Sequence, residues 1–352
     1  MCSAKSSRNM PWLRLLRIPN LPTAVSNILM AYLLVHQSWT PVIPLLLLVL
    51  ASAAMYSAGM ILNDVFDYQI DLKQRPQRPL PSGAISMSAA KSGGFSLLIG
   101  GVIIASLCGC VFGPVTGSWR TGAFAVLLAT FIFLYDGPLK RTALAPFLMG
   151  GCRTLNILMG ASTFVGISKT ATAAGAGGPP VGGDFGGATL ELFSNNQLLG
   201  MPLLVWWLAI AIGGLIAGAT LLGRNEAAQE QNRASLIVAG LIVLASLIGL
   251  ACAVYCPTSV LPGSFQVSET QKTIFPMFIA FMSLTILRRV FVAVATANPK
   301  SIQLGVVSVL RSLIILDAAV CYLAMPHQII YALVVLSLLI PNMWLGRYFA
   351  ST

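Results

Sequence analysis

Long runs of apolar residues follow one another along almost the whole chain, and they constrain its fold more than any other feature. Each run approaches the roughly 20 residues that a helix needs to cross a bilayer. Only 9% of the 352 residues are charged and 57% are hydrophobic, whereas a soluble domain has about 25% charged residues. The runs lie at 20–37, 42–63, 92–112, 121–135, 144–166, 201–223, 235–255, 274–295, 303–325 and 328–346.

These runs predict an all-α fold, a polytopic membrane bundle of nine or ten transmembrane helices. Lipid offers no hydrogen-bond partners to a backbone, so segments of this length must be helical. The count stays between nine and ten because the run at 121–135 is short and the last run, 328–346, could cross the membrane fully or only in part.

The basic residues predict the orientation of the bundle. If the N-terminus is cytoplasmic, 16 of the 21 lysines and arginines fall on the cytoplasmic side, as the positive-inside rule requires. The N-terminal segment lacks a signal-peptide pattern, because its four basic residues are spread over a polar tail. The net charge of +11 is divided among membrane-facing loops, which argues against a nucleic-acid partner. We expect an integral protein of a bacterial inner (cell) membrane, with the N-terminus and the active site in the cytoplasm.

The acidic residues concentrate on the same side, and three of them form the clearest motif. The segment 61–83 reads ILNDVFDYQIDLKQRPQRPLPSG and places Asp64, Asp67 and Asp71 at i, i+3 and i+7. If the second long helix runs through them, about 100° per residue puts all three on one face. Carboxylates at a helix C-terminus repel each other and the helix dipole. A hard cation such as Mg²⁺, which prefers oxygen ligands, would relieve this repulsion.

Basic residues follow this motif directly. Lys73, Arg75 and Arg78 would lie beside the bound metal. Mg²⁺ and arginine together suit a diphosphate, because the metal bridges its oxygens and guanidinium groups contact the others. The alternative is a solvated polar loop whose charges balance a helix end.

The motifs resemble those of the UbiA superfamily of intramembrane prenyltransferases, in a divergent branch. "NDVFDYQID" followed by "RPQRPLPSG" resembles the first aspartate-rich signature of that superfamily, with the short gap seen in chlorophyll-synthase-like members. "LYDGPLKRT" resembles its tyrosine and basic motif after the fourth span, with altered spacing, through Tyr135, Lys140 and Arg141. "CRTLNILMGAS" resembles its fifth span and carries Arg153 and Asn156.

The resemblance implies a helical bundle around a central cavity that opens to the cytoplasmic face. It implies a Mg²⁺-dependent transfer of an isoprenyl group from a prenyl diphosphate donor to a small-molecule acceptor, which could be aromatic, chlorin-like or of another kind. Residues 1–19 would form a basic cytoplasmic tail and 20–352 the membrane domain, with a glycine-rich external loop at about 170–189.

Roles follow residue by residue from this resemblance. Metal and arginine together would stabilise the leaving diphosphate, and dry walls would protect the carbocation from water. Tyr135 would contact the diphosphate or the cation. The predicted catalytic residues are Asp64, Asp67, Asp71 and Tyr135; the metal ligands are Asn63, Asp64, Asp67, Asp71, Glu226 and Glu230; the diphosphate-binding residues are Asn63, Arg75, Arg78, Lys140, Arg141, Arg224, Arg153 and Asn156.

The second motif departs from the superfamily pattern. After the sixth span the superfamily has roughly DxxxD, but this chain reads GRNEAAQEQNR and contains no aspartate there. Glu226 and Glu230 have the same i, i+4 spacing and could replace the two aspartates. A shift by one residue puts Asn225 and Gln229 in those places. In a third interpretation, the segment is a solvated helix start in which Arg224 and Arg233 pair with the two glutamates.

Polar residues inside spans leave further alternatives open. An ionisable group within a membrane usually faces a cavity, which favours a cavity role for Arg153 and Asn156 over hydrogen bonds between packed helices. Arg311 and Asp317 are six residues apart and so lie on different helix faces, which favours structural roles.

Two other functions compete with an enzyme. A carrier for a diphosphate-bearing or other anionic lipid would need internal repeats and interrupted helices near the midplane, and the sequence shows no clear repeat. A non-catalytic binder of an isoprenoid lipid is supported only by the altered second motif.

Overall fold

The computed structural model describes residues 11–114, 118–164, 193–194, 197–226, 232–257 and 267–349. Most of these residues are helical, apart from an antiparallel sheet of three two-residue strands. The helices are α1 Pro11–Leu15, α2 Leu21–His36, α3 Val42–Phe66, α4 Tyr68–Gln74, α5 Met87–Phe112, α6 Trp119–Asp136, α7 Ala145–Ala161, α8 Leu203–Glu226, α9 Arg233–Ala251, α10 Glu269–Thr296, α11 Pro299–Ala324, α12 Ile329–Ser337 and α13 Leu339–Phe349, and the strands are β1 Phe193–Ser194, β2 Gln197–Leu198 and β3 Met201–Pro202.

The predicted membrane bundle is confirmed. Nine helical segments in the described ranges are long and apolar enough to cross a bilayer. Helix α7 is a shorter helix of 17 residues that overlaps the run at 144–166, so it accounts for the tenth predicted run. The last run is interrupted at Leu338, where α12 ends before α13 begins.

Four helices form the centre of the bundle. Helices α2, α7, α8 and α11 each bury more than half of their residues, whereas α5 and α10 bury about a quarter of theirs. Helix α2 packs against α3, α7 and α11, and α8 packs against α7, α9 and α11. A Cβ atom on Gly150 of α7 would lie only 2.5 Å from the carbonyl oxygen of Gly213 in α8. Glycine therefore permits the close backbone approach that is typical of membrane helix pairs.

A buried polar network joins the central helices. Asp317 of α11 is fully buried and accepts hydrogen bonds from Ser26 Oγ at 2.5 Å and from Asn27 Nδ2 at 2.8 and 3.0 Å, both in α2. Arg153 of α7 donates to Asn27 Oδ1 at 3.2 Å and to Thr23 Oγ1 at 2.7 Å. Because these groups are shielded from water, their mutual hydrogen bonds offset the loss of hydration.

Candidate active site

The first aspartate-rich motif does not lie on one straight helix. Helix α3 ends at Phe66, Asp67 has φ −83° and ψ −1°, and α4 begins at Tyr68. The carbonyl of Asp67 accepts from the amide of Asp71 at 3.0 Å and so starts the next helix. The single helix through all three aspartates, considered from their spacing, is therefore wrong. Asp64 and Asp71 therefore lie on two different helices, with Asp67 at the turn between them.

Two of the three aspartates share one buried arginine. Arg78 Nη1 lies 2.7 Å from Asp71 Oδ2 and 3.5 Å from Asp64 Oδ1, and all three side chains are at most 7% exposed. A buried charge is tolerated only when it is paired and hydrogen-bonded. The "RPLPSG" segment therefore folds back over the aspartates through Arg78.

The third aspartate pairs with the basic motif after α6. Lys140 Nζ lies 2.5 Å from Asp67 Oδ2 and 2.6 Å from Asn63 Oδ1. These side chains are only partly buried; Lys140 and Asp67 are 24% and 21% exposed. The structure thus brings together Asn63, Asp64, Asp67, Asp71, Arg78 and Lys140, a group that we call the charged cluster.

Arg17 also belongs to this site, although sequence reasoning placed it in a basic tail. Its Nη2 lies 3.0 Å from Asp64 Oδ1. Its backbone is left-handed, with φ 46° and ψ 48°, which is uncommon for a residue other than glycine. This conformation ends α1 and turns the chain toward the first span, and no motif spacing could have predicted it.

The other predicted diphosphate-binding cations lie elsewhere. Arg75 and Arg141 are exposed. Arg224 donates to the carbonyl oxygens of Thr142 at 2.5 Å and Arg141 at 3.3 Å, so it holds the connection between α6 and α7. Among the described contacts these three arginines do not reach the charged cluster, and their role toward a diphosphate remains a prediction.

The second motif lies at the C-terminal end of α8. Asn225 is buried and its amide donates to Leu221 O and Ser235 Oγ, both at 2.9 Å. Helix α8 ends at Glu226, whereas Glu230 and Gln229 lie outside the described residues. Asn225 therefore joins α8 to α9, and the metal-binding role of the two glutamates stays a prediction.

No metal cage is formed by the side chains that the structure describes. Within those ranges, no group of three His, Cys, Asp or Glu residues converges closely enough to hold an ion. The carboxylates of the charged cluster are instead paired with Arg17, Arg78 and Lys140. Metal ligation by Asn63, Asp64, Asp67 and Asp71 remains a prediction.

A cavity lined mainly by α3, α6 and α7 lies next to the charged cluster. Its volume is about 90 Å³. Asn156 donates to the carbonyl oxygen of Ala24 at 3.0 Å and accepts from Ser52 Oγ at 2.7 Å. Arg153 and Asn156 therefore line a cavity and also bond neighbouring helices, which combines the two alternatives left open by the sequence. The polar residues of the lining are Ser52, Tyr56, Tyr135, Asp136, Arg153 and Asn156.

The fold and the site define an integral membrane protein, a helical bundle with a charged cluster beside a cavity. A model of the UbiA prenyltransferase family matches residues 24–301. The chain belongs to this family, which confirms the resemblance recognised from its motifs.

Curated relatives match part of the chain. Digeranylgeranylglyceryl phosphate synthase of Methanobrevibacter smithii is 33% identical over 144 residues, which are 41% of this chain and 48% of that protein. The synthase of Methanoculleus marisnigri is 33% identical over 131 residues, 37% of this chain and 43% of the relative. The chain thus spans less than half the length of these relatives.

Solved structures match nearly the whole chain in fold. A UbiA homologue from Archaeoglobus fulgidus bound to GPP and Mg²⁺ has a TM-score of 0.57 and 14% identity, covering 93% of this chain and 99% of that one. A structure from work on digeranylgeranylglyceryl phosphate synthase in membranes has a TM-score of 0.56 and 18% identity, covering 92% and 99%. At these identities the likeness establishes the fold.

Proposed function

We propose that the protein is an intramembrane prenyltransferase that uses Mg²⁺ and a prenyl diphosphate donor. The observation that carries this proposal is the charged cluster. Four oxygen-bearing side chains meet Arg78 and Lys140 where α3 ends, beside an apolar cavity. Such a cluster suits a ligand with an anionic head and an apolar tail.

The residues of the charged cluster fit Mg²⁺ bound together with a diphosphate. Proteins usually hold Mg²⁺ through one or two carboxylates plus substrate phosphates and water rather than through an all-protein cage. Asp64, Asp67 and Asp71 supply hard oxygen ligands, and Asn63 adds an amide oxygen. When bound, the metal would neutralise charge on the leaving diphosphate.

The chain's own cations have a matching task. Lys140 and Arg78 would turn from carboxylates toward diphosphate oxygens when the donor and its metal arrive, since both are charged hydrogen-bond donors already at the site. The apolar cavity wall would exclude water, which would otherwise capture the carbocation. Tyr135 lines this cavity, where its ring face suits a cation.

The acceptor is a small molecule, and we infer a glyceryl phosphate lipid as its first candidate. The curated relatives are named for a product with two geranylgeranyl groups on glyceryl phosphate. A prenyl transfer that completes such a product must end on a glyceryl hydroxyl. The same chemistry would make geranylgeranyl diphosphate the donor.

We infer that the charged cluster lies on the cytoplasmic side of a cell membrane. Sixteen of the 21 basic residues are on this side when the spans are threaded in order, and cytoplasmic loops carry the excess of lysine and arginine. Membrane lipid would surround the bundle from 20 to 352, with residues 1–19 as the cytoplasmic tail.

A second candidate is binding of a prenyl diphosphate without transfer. One observation favours it: the segment after α8 has no aspartate where the superfamily has two. This candidate predicts donor binding without consumption of the donor, whereas the enzyme consumes it.

Titration of the detergent-purified protein with geranylgeranyl diphosphate, with Mg²⁺ or with a chelator, tests the proposal. We expect binding that requires Mg²⁺ and that weakens about 10- to 100-fold in Asp67→Asn, as is typical when a group supporting a metal is removed. The matched control is Glu269→Gln, an exposed carboxylate paired with Lys272 at the N-terminus of α10. Equal effects of the two changes, or binding that ignores Mg²⁺, would overturn the assignment.

A further inference from the structure

Asp136 is a buried carboxylate that the charged cluster does not use. It is the last residue of α6 and is 4% exposed. Its Oδ2 has no hydrogen-bond partner within the described residues, a condition shared there only by Trp39 Nε1. Burying a carboxylate oxygen without a partner costs free energy, so such an atom in a folded protein needs an explanation.

The oxygen faces the cavity beside the charged cluster. A Cβ atom on Gly59 of α3 would lie 3.9 Å from Asp136 Oδ2, so the bare backbone of α3 bounds this space. Tyr56 on α3 and Cys152 and Arg153 on α7 also line it. Arg153 is the cationic residue of the lining, but its guanidinium donates to Thr23 and Asn27 of α2. No hydrogen bond from Arg153 to Asp136 Oδ2 is present among the described residues.

One face of α3 leads from the cavity to the charged cluster. Ser52, Tyr56 and Gly59 line the cavity, and Asn63 follows at the same spacing of three or four residues, which keeps it on that face. At 1.5 Å per residue, Gly59 and Asn63 are about 6 Å apart along the axis. A diphosphate held at Asn63 would therefore place its first prenyl carbon near the level of Gly59, where Asp136 Oδ2 lies close to α3.

The segment from Asp136 to Lys140, at the end of α6, also connects the cavity to the charged cluster. Lys140 follows Asp136 by four residues and contacts Asn63 and Asp67. This short segment thus carries a cation, Lys140, at the charged cluster, where the diphosphate would bind. It also carries Asp136, whose Oδ2 has no partner among the described residues, at the cavity.

On the basis of the proposed function, we propose that Asp136 is the catalytic base and that the cavity takes an acceptor hydroxyl. A carboxylate oxygen without a donor calls for an O–H group, and a second anion beside it would be repelled. The acceptor is therefore an alcohol or phenol whose own anionic groups, such as a phosphate, lie away from Asp136.

The step balances in bonds and protons. The bond between the first prenyl carbon and the diphosphate oxygen breaks, and its electron pair leaves with the diphosphate. The acceptor oxygen forms the new carbon–oxygen bond and gives its proton to Asp136 Oδ2. The proton then passes to water as the diphosphate departs, so the products are a prenyl ether, diphosphate and a proton.

The test uses the full chain in detergent with Mg²⁺, geranylgeranyl diphosphate as donor and geranylgeranylglyceryl phosphate as the hydroxyl probe. Donor binding, diphosphate release and ether formation are measured separately. For Asp136→Asn we expect donor binding within about twofold of wild type, and ether formation lowered about 10²- to 10⁴-fold, as for loss of a general base. Asp136→Glu should recover part of the ether formation, and Glu269→Gln should leave every readout unchanged.

A second variant guards against misfolding of the first. Gly59→Ala keeps the carboxylate but puts a methyl group 3.9 Å from its oxygen and 3.3 Å from Ile132, so the KM for the hydroxyl probe should rise while donor binding stays.

Ether formation by Asp136→Asn at more than half the wild-type rate would overturn the assignment of Asp136 as the catalytic base. Loss of donor binding in Asp136→Asn would place Asp136 in the diphosphate site instead. A wild type that consumes donor without prenylating the probe would overturn the acceptor class. A wild type without Mg²⁺-dependent donor binding would overturn the proposed function itself.

Discussion

Lys140 and Asp67 form the link between two parts of the chain that are more than 70 residues apart. The ammonium nitrogen of Lys140 lies 2.5 Å from Asp67 Oδ2. Asp67 directly follows α3, and Lys140 lies in the connection between α6 and α7. The aspartate-rich motif and the basic motif therefore make one site, in which a cation already stands beside the carboxylates.

Lys140→Met should weaken donor binding with little loss of stability. The pair with Asp67 is partly exposed, so its loss should change the unfolding free energy by at most about 1 kcal/mol. A charged hydrogen bond to the diphosphate contributes about 1.5–3 kcal/mol, or roughly 10- to 100-fold in affinity. Calorimetric titration with geranylgeranyl diphosphate measures this, and Lys272→Met, which breaks the surface pair with Glu269, is the control. Similar losses in both variants would contradict the assignment.

Arg78→Met should lower stability strongly, because it leaves Asp64 and Asp71 buried without their shared partner. Breaking a buried ion pair from one side costs about 3–5 kcal/mol. Arg75→Met, in the exposed part of the same segment, should be nearly neutral for stability. The apparent melting temperature in detergent distinguishes the two. Added Mg²⁺ should restore part of the loss in Arg78→Met, because it can neutralise the same carboxylates.

Asp317→Ala should destabilise the bundle without touching the charged cluster. It removes the acceptor of Ser26 and Asn27. Ser26 Oγ can still donate to the carbonyl oxygen of Thr23, but the buried amide of Asn27 loses its acceptor, which costs about 1–3 kcal/mol. Arg311→Ala, on an exposed face of the same helix, should stay within about 0.5 kcal/mol. Thermal unfolding with and without donor separates stability from binding. An unchanged melting temperature for Asp317→Ala would show that the network carries little stability.

Gly150→Ala should separate α7 from α8. Its methyl carbon would lie 2.5 Å from the carbonyl oxygen of Gly213, which real packing does not allow, and overpacking typically costs about 1–3 kcal/mol. Gly100→Ala on α5 meets nothing within 4 Å and is the matched control. Equal melting temperatures for the two variants would refute the close contact.

The sequence predicted the bundle well because lipid leaves a long apolar segment no choice but a helix. It also predicted Asp64, Asp67, Asp71, Arg78 and Lys140 as one charged group, since their motifs follow the second and the fourth spans and so lie on the same side of the membrane.

Two residues escaped sequence reasoning for physical reasons. Arg17 reaches Asp64 only through a left-handed backbone turn, which local pattern does not reveal in an arginine. Asp136 is not among the predicted site residues, yet it is buried where α3 passes close by at Gly59. Such burial depends on contacts between helices that are distant in sequence. These contacts leave no periodic pattern of residues from which a single sequence would predict them.

The altered second motif leads to the last prediction. Asn225, the rival ligand in the shifted alignment, offers Mg²⁺ only a neutral amide oxygen, whereas Glu226 and Glu230 offer charged oxygens, so the alignment with the two glutamates is the one we expect to matter. Glu226→Gln and Glu230→Gln together should weaken Mg²⁺-dependent binding of geranylgeranyl diphosphate about 10-fold or more, since each removes a charged oxygen ligand. Asn225→Ala should instead lower the melting temperature while leaving donor affinity within about twofold, because it loses hydrogen bonds between α8 and α9. Binding unchanged in the double variant would mean that the first motif alone holds the metal and its diphosphate.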